Sequence, residues 1–327
     1  MDSLRDLWPK RQEIAASKRI KAMNNKESLF KRLIFLIVKM KLVNTLMRAV
    51  LSLLAPLFPE KFLERIPVVG EISVSLPNTG TLVLVSDGRD QIASRLYWSG
   101  LFSYEPGTVE IYLHLLKHSK VAFDVGAHTG LFALIAALYN RQMEVYAFEP
   151  VPRIFGYLTK NIERNGFYNV RPVCRVVSDY DGKVSFYEPK TVTLPSSASM
   201  VRGFTIEKTE EVIVPTVSLD TFVKESGISR VDLLKIDVEG SEDRVLAGAR
   251  NILKRDKPSI ICEVIRGTTE GRLHSLFNQT TYRFFRITGK GLVPEDTVSG
   301  GVTEEDWNYL FITENKVSEV LKGLTVL

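Results

Sequence analysis

The run VAFDVGAHTG at residues 121–130, continued by LFALIAALY at 131–139, decides the fold. VAFDVG (121–126) reads as a buried strand, because a short apolar run without polar alternation fits a strand covered on both faces. LFALIAALY is apolar around nearly its whole circumference, so the helix it forms is expected to be buried as well. Gly126 and Gly130 between them allow a tight turn and a close backbone approach to a ligand, while the helix start offers unpaired N–H donors.

Outward from this run the same alternation continues. EVYAFE (144–149) is the next strand, IFGYLTKNIERNG (154–166) is a helix stopped by Gly166, and NVRPVCRVVS (169–178) is a third strand. A hairpin around Asp181-Gly182 and a long irregular stretch through Glu210 follow. VDLLKIDVEG (231–240) and PSIICEVI (258–265) are two more buried strands, separated by the helix SEDRVLAGARNIL. YRFFRI (282–287) and NYLFIT (308–313) close the sheet as an antiparallel pair. The expected fold is α/β, a doubly wound, mostly parallel seven-stranded sheet with an N-terminal helical extension. Ligands bind such sheets at the carboxyl ends of the strands, so function is sought just after Val125, Phe148, Val177, Ile236 and Cys262.

Charge divides the chain at about Pro67. The 327 residues carry a net +5, but residues 1–66 hold 14 Lys/Arg against 6 Asp/Glu, leaving the other 261 residues at −3. We read 1–66 as a basic amphipathic helical extension and 67–327 as the α/β domain. A near-neutral domain argues against a nucleic-acid partner, since phosphate-tracking surfaces are basic. Cys174 and Cys262 are the only cysteines and form no CxxC pair, which excludes a disulfide scaffold and a cysteine-based zinc site and suits a reducing, cytoplasmic setting. Residues 29–58 are apolar but interrupted by Lys31, Arg32, Lys39, Lys41 and Arg48, too broken to span a bilayer or to serve as a signal peptide. These helices could lie on an anionic membrane surface, as a peripheral contact, or pack on a protein partner.

Glu149 ends the second strand 25 residues beyond Asp124, where an acid can accept hydrogen bonds from both ribose hydroxyls of a nucleoside. In LLKIDVEG, residues 235, 237 and 239 share one strand face, so Lys235 and Asp237 either pair as a structural ion pair or work on a ligand. His114 and His118 lie one helical turn apart without a third ligand and read as helix surface. The Ser-rich LPSSAS at 194–199 is either an acceptor loop or a solvated one.

The DxGxxxG pattern looks like the first motif of class I S-adenosylmethionine (SAM) methyltransferases. More specifically, VAFDVGAHTG, AFEPVPRIFGYLTKNIERNG, VSLDTF and LLKIDVEGSEDRVLAGA resemble, in order and spacing, the FkbM-family methyltransferases. The resemblance spans about residues 85–312 and includes Tyr97-Trp98-Ser-Gly and Tyr104-Glu105-Pro106. It implies SAM as cofactor, held by Asp124 at its amino-acid end, by the turn Gly126, Ala127, His128 and Gly130, by Glu149 at the ribose and by Asp179 near the adenine. Asp179 also fits a plain turn. The family usually has Asn where His128 stands, which puts that loop hydrogen bond in question.

The resemblance further implies methylation of a hydroxyl, on a sugar of a glycan or glycolipid. Asp237 is the first choice to orient or deprotonate that hydroxyl and Glu263 the second, with Tyr104, Glu105 and Glu239 on the acceptor side. Tyr97 and Trp98 could complete a lid or pack in the core. No metal is assigned, although Asp237, Glu239 and Glu263 could alternatively hold Mg²⁺. Two rival functions remain: methylation of RNA ribose 2′-hydroxyls, and a SAM-binding or membrane-adaptor protein without catalysis. The acceptor's identity and the oligomeric state are not legible in the sequence.

Overall fold

The computed structural model describes residues 40–189, 194, 199–201, 209–278 and 280–327. Residues 29–39 of the apolar stretch, and most of the Ser-rich segment, therefore lie outside the described residues. In chain order the strands begin with β1 (Val69–Leu76), β2 (Gly80–Asp87), β3 (Val121–Val125), β4 (Glu144–Phe148) and β5 (Val170–Val173). Then come β6 (Val176–Val177), β7 (Gly182–Pro189), β8 (Thr209–Val217), β9 (Leu233–Ile236) and β10 (Ser259–Glu263). The last three are β11 (Tyr282–Thr288), β12 (Gly291–Glu295) and β13 (Asn308–Thr313). The centre is a mixed sheet of eight strands in the order β12-β11-β13-β10-β9-β3-β4-β5. Strands β3, β4, β5, β9 and β10 run parallel, while β13, β11 and β12 add an antiparallel edge.

Alternate residues of each central strand enter two cores, as the two-residue period requires. Ala122, Val145, Leu233 and Ile261 pack on one face under the helices Pro106–Leu116 and Leu131–Tyr139. Phe123, Val125, Phe148, Ile236 and Cys262 pack on the other, with Phe222 edge-on to the Phe148 ring. Both faces of the sheet are thus buried, which is why its central strands read as nearly continuous apolar runs.

Four sequence expectations are corrected. The sheet has eight strands rather than seven; GLVPE supplies the extra edge strand, where Pro294 and a half-buried face hide the usual strand signal. NVRPVCRVVS is two elements: β5 joins the main sheet, while β6 pairs with β8 in a separate sheet with β7. Asp181-Gly182 consequently closes no hairpin; Asp181 instead accepts hydrogen bonds from Ser218 N (2.7 Å) and Thr221 Oγ1 (2.8 Å) at the start of the next helix. SEDRVLAGARNIL breaks into Glu242–Ala247 and Arg250–Arg255 at Gly248, which packs so closely on the chain at Ser178 that a side chain there would fall 2.1 Å from the Ser178 carbonyl oxygen.

Ahead of the main sheet, β1 and β2 form an antiparallel pair, an addition to the strands expected from the sequence. The helix Lys41–Leu54 leans on this pair through Asn44, whose amide donates to Pro67 O (2.8 Å) and accepts from Val69 N (2.9 Å).

Candidate active site

A cavity of about 1290 Å³ opens over the carboxyl ends of β3, β4, β9 and β10, which supply Gly126, Glu149, Asp237 and Glu263 to its wall. That volume suits a cofactor together with an acceptor. The strand ends are locked to one another there. Gly126 N and Ala127 N both donate to Phe148 O (3.0 and 2.9 Å), and Asp237 N donates to Val125 O (2.9 Å).

The turn after β3 is left-handed at Gly126, His128 and Gly130, with φ of 87°, 50° and 98°. His128 occupies the one non-glycine position, a conformation that Asn and His tolerate better than most residues. Packing requires both glycines. A Cβ on Gly126 would fall 1.8 Å from Asp237 O, and one on Gly130 would fall 2.6 Å from Leu158 Cδ1. Thr129 between them is held by its hydroxyl, which donates to Asp90 Oδ2 (2.8 Å), and by its carbonyl, which accepts from Asn161 Nδ2 (2.8 Å).

Glu149 ties this turn to the next helix, accepting from His128 N at 3.0 Å and Val151 N at 2.8 Å. Burial pushes its carboxyl up to about 7, against the pull of those two amides. Each of its oxygens takes one backbone bond, and a carboxylate oxygen can accept a second. Asp124 lies behind the turn, outside the cavity wall, in register with Lys235 on the neighbouring strand. Its Oδ2 accepts from Ala133 N (3.0 Å), while Oδ1 is buried without a hydrogen-bond partner among the described residues. Burial raises Asp124 to about 6, opposed by Lys235 and the Ala133 amide.

On the far wall an acid cluster surrounds one cation. Lys235 Nζ is buried, sits 4.4 Å above the Phe132 ring and donates to Asp237 Oδ2 at 3.0 Å. Burial opposes its charge, but Asp237, Glu105 and Asp124 outweigh that and keep the ammonium protonated. Carboxylate oxygens of Asp237, Glu239 and Glu263 lie within 4.8 Å of one another, a spacing a hard cation could bridge. Glu263 is buried with Oε2 unpartnered among the described residues; burial, then Asp237 and Glu239, hold it well above the usual carboxyl range. Burial likewise raises Glu239, reinforced by Asp237 and Glu242. The strand ends at Ile236, so Glu239 stands not on the strand face but in a left-handed turn (φ 56°) that still brings it to Asp237.

Of the other expected residues, Tyr104 and Glu105 line the cavity, with Glu105 Oε2 accepting from Asn308 Nδ2 at 3.1 Å. Asp179 is exposed, accepts from Ser178 Oγ (3.0 Å) and is not part of the wall; Ala127 and Gly130 stand behind it. Tyr97 and Trp98 form no lid: Trp98 Nε1 donates to Ile66 O (3.2 Å), and the Arg48 guanidinium covers Tyr97 at 4.8 Å. Asp90, Asn161, Glu242 and Asn308 carry no signal in the sequence, because single polar residues acquire meaning only from distant neighbours.

The residues present fit SAM. Glu149 offers acceptor sites to ribose hydroxyls beside the glycine turn, and the orphaned Oε2 of Glu263, a residue of the same wall, is owed a polar partner. The carboxyl groups of Asp237, Glu239 and Glu263 on the wall also suit a ligand bearing ammonium and sulfonium charges. The fold and site define a SAM-dependent methyltransferase.

Comparison with known proteins narrows this. The Methyltransferase FkbM domain model matches residues 124–284. The 31-O-demethyl-FK506 methyltransferase FkbM of Streptomyces tacrolimicus is 33% identical over 204 residues, 55% of this chain and 76% of that protein. The chain belongs to the FkbM methyltransferase family. The hexuronic acid methyltransferase AglP of Haloferax volcanii is 31% identical over 150 residues, 46% of this chain and 58% of that one. The 2-O-methyltransferase NoeI of Sinorhizobium fredii is 25% identical over 157 residues, 44% and 63% respectively. The chain thus spans less than two thirds of the latter two relatives.

Proposed function

We propose that this enzyme methylates a hydroxyl group of a sugar, in a glycan or glycolipid. The observation that carries the reading is the placement of Asp237, Glu239 and Glu263 within 4.8 Å of one another on the wall of the cavity that also holds Glu149. The activities named for the Haloferax and Sinorhizobium relatives, a hexuronic acid methyltransferase and a 2-O-methyltransferase, support a sugar-type acceptor.

SAM, when bound, supplies a methyl carbon on a positively charged sulfur that leaves with the bonding electron pair. The protein's main work is then to align acceptor and donor. Lys235 holds Asp237 through Oδ2, which fixes the carboxylate and leaves its other oxygen for the acceptor hydroxyl. As the hydroxyl oxygen forms its bond to carbon, its proton passes to Asp237. Glu263 and Glu239, pushed toward their neutral forms, can donate hydrogen bonds to neighbouring acceptor oxygens. Glu105 and Tyr104 close the acceptor side.

The test is incubation with methyl-labelled SAM and extracts of the source cells, separated into glycolipid, free glycan, RNA and protein. Label in sugar-containing fractions is expected. Label confined to RNA, or none in any fraction, would overturn the reading.

A further inference from the structure

The helix Lys41–Leu54 meets the protein through Asn44, buried against Pro67 and Val69, and Arg48, which lies over the Tyr97 ring, with Val43, Met47 and Leu51 half-buried. A second set of apolar residues faces outward, with Leu42 72%, Leu46 61%, Val50 55% and Leu53 84% exposed. These stand four, four and three residues apart, one continuous stripe. The stripe continues past the helix through Leu57 and Phe62, at 76% and 52% exposure. A helix serving a protein core turns such a stripe inward, and an exposed apolar patch of this kind marks an interaction surface.

Charge selects the occupant. The segment 1–66 that carries the stripe is +8, and the rest of the chain is −3. A second copy docked by its own stripe would bring two such basic segments together, which like-charge repulsion opposes. An anionic bilayer accepts both features at once, with the apolar stripe at the acyl boundary and Lys or Arg at the headgroups. No helix among the described residues is long and apolar enough to cross a bilayer, so the contact is in the plane of the surface. The stripe also runs into the active-site cavity, because Lys61, Arg65 and Pro67, beside its far end, line that cavity's wall.

We propose that the outward face of residues 42–62 docks on an anionic lipid surface and holds the cavity opening there. The docking is independent of the acceptor.

Flotation of the full-length protein with phosphatidylcholine vesicles, with and without a third phosphatidylglycerol, tests it. The protein is expected to float with the anionic vesicles and to be released by salt, which screens such contacts. The L46E/L53E double variant should bind at least about ten-fold less, since two leucines no longer leave water, while its Tm and SAM affinity stay at the wild-type level. No flotation, or equal flotation of the double variant, overturns the proposal. So does a dimer, without vesicles, that the double variant dissolves, which would assign the face to a second copy. A polarity-sensitive dye on a Val50→Cys variant should shift only when vesicles are added. A shifted spectrum without them would also overturn the proposal, because the chain's own residues 29–38 would then cover the stripe.

Discussion

The carbonyl oxygen of Asp237 lies 1.8 Å from where a side-chain carbon on Gly126 would begin. The end of β9, which carries the proposed base, is therefore pressed against the turn after β3, which the family resemblance assigns to the cofactor. With the bond from Asp237 N to Val125 O at 2.9 Å, the two halves of the site share one backbone contact.

Gly126→Ala should consequently damage both halves. The clash adds to the strain of a side chain at φ 87°, and a loss of at least about 2 kcal/mol in stability is expected. Thermal melts and SAM titration should show lowered Tm together with weakened binding. Wild-type affinity in this variant would mean the two strand ends can separate without cost.

Glu149→Ala removes the acceptor for the amides of His128 and Val151. The expected loss in SAM affinity is about 1–3 kcal/mol, the value of hydrogen bonds to a charged group. Calorimetric titration measures it, and unchanged affinity would remove Glu149 from the ribose.

Asp237→Asn should lower kcat by ~10²–10⁴-fold, the usual contribution of a general base. SAM binding should persist, because the change is isosteric and Lys235 can still donate to the amide oxygen. Normal turnover would exclude Asp237 as the proton acceptor.

Glu242 is a pH probe outside the cavity wall. Buried, it accepts from Gly240 N (2.9 Å) and is pushed from an ordinary 4.5 up to about 7 by burial. A carboxyl that holds its proton more tightly when folded adds stability below about pH 4.5, and that stability is lost as pH rises through about 7. Stability of the cofactor-free protein should therefore fall over this window, by on the order of 3 kcal/mol for such a group. Glu242→Gln, which mimics the protonated form, should flatten that part of the profile measured by denaturant titration at several pH values; an unchanged slope would place Glu242 in the charged state throughout.

Much of this was legible in local pattern. VAFDV, EVYAF and SIICE are strands over the residues their apolar runs indicated, and LFALIAALY is a helix from 131 to 139, because burial on every side leaves an unmistakable composition. The helix 152–165 ends where Gly166 adopts φ 61°. The resemblance of the chain's motifs to those of the FkbM methyltransferases also carried the family and its cofactor. Local pattern failed where non-local partners decide: the split at Val173, the break at Gly248 where the chain packs on Ser178, and the edge strand through Pro294.

Periodicity and residues close in the chain were sufficient for the α/β class and for the strand-end positions where chemistry is found, and the resemblance of the motifs for membership of a SAM-dependent family. It took the assembled fold to bring Asp237, Glu239 and Glu263 together, to pair Lys235 with Asp237 beneath them, and to leave Asp179 outside the cavity wall. The same holds for the first described helix, which turns Leu42, Leu46 and Leu53 outward. An amphipathic pattern specifies that a helix has two faces; which face meets the protein depends on what the rest of the chain presents, here the backbone groups of Pro67 and Val69 that Asn44 satisfies.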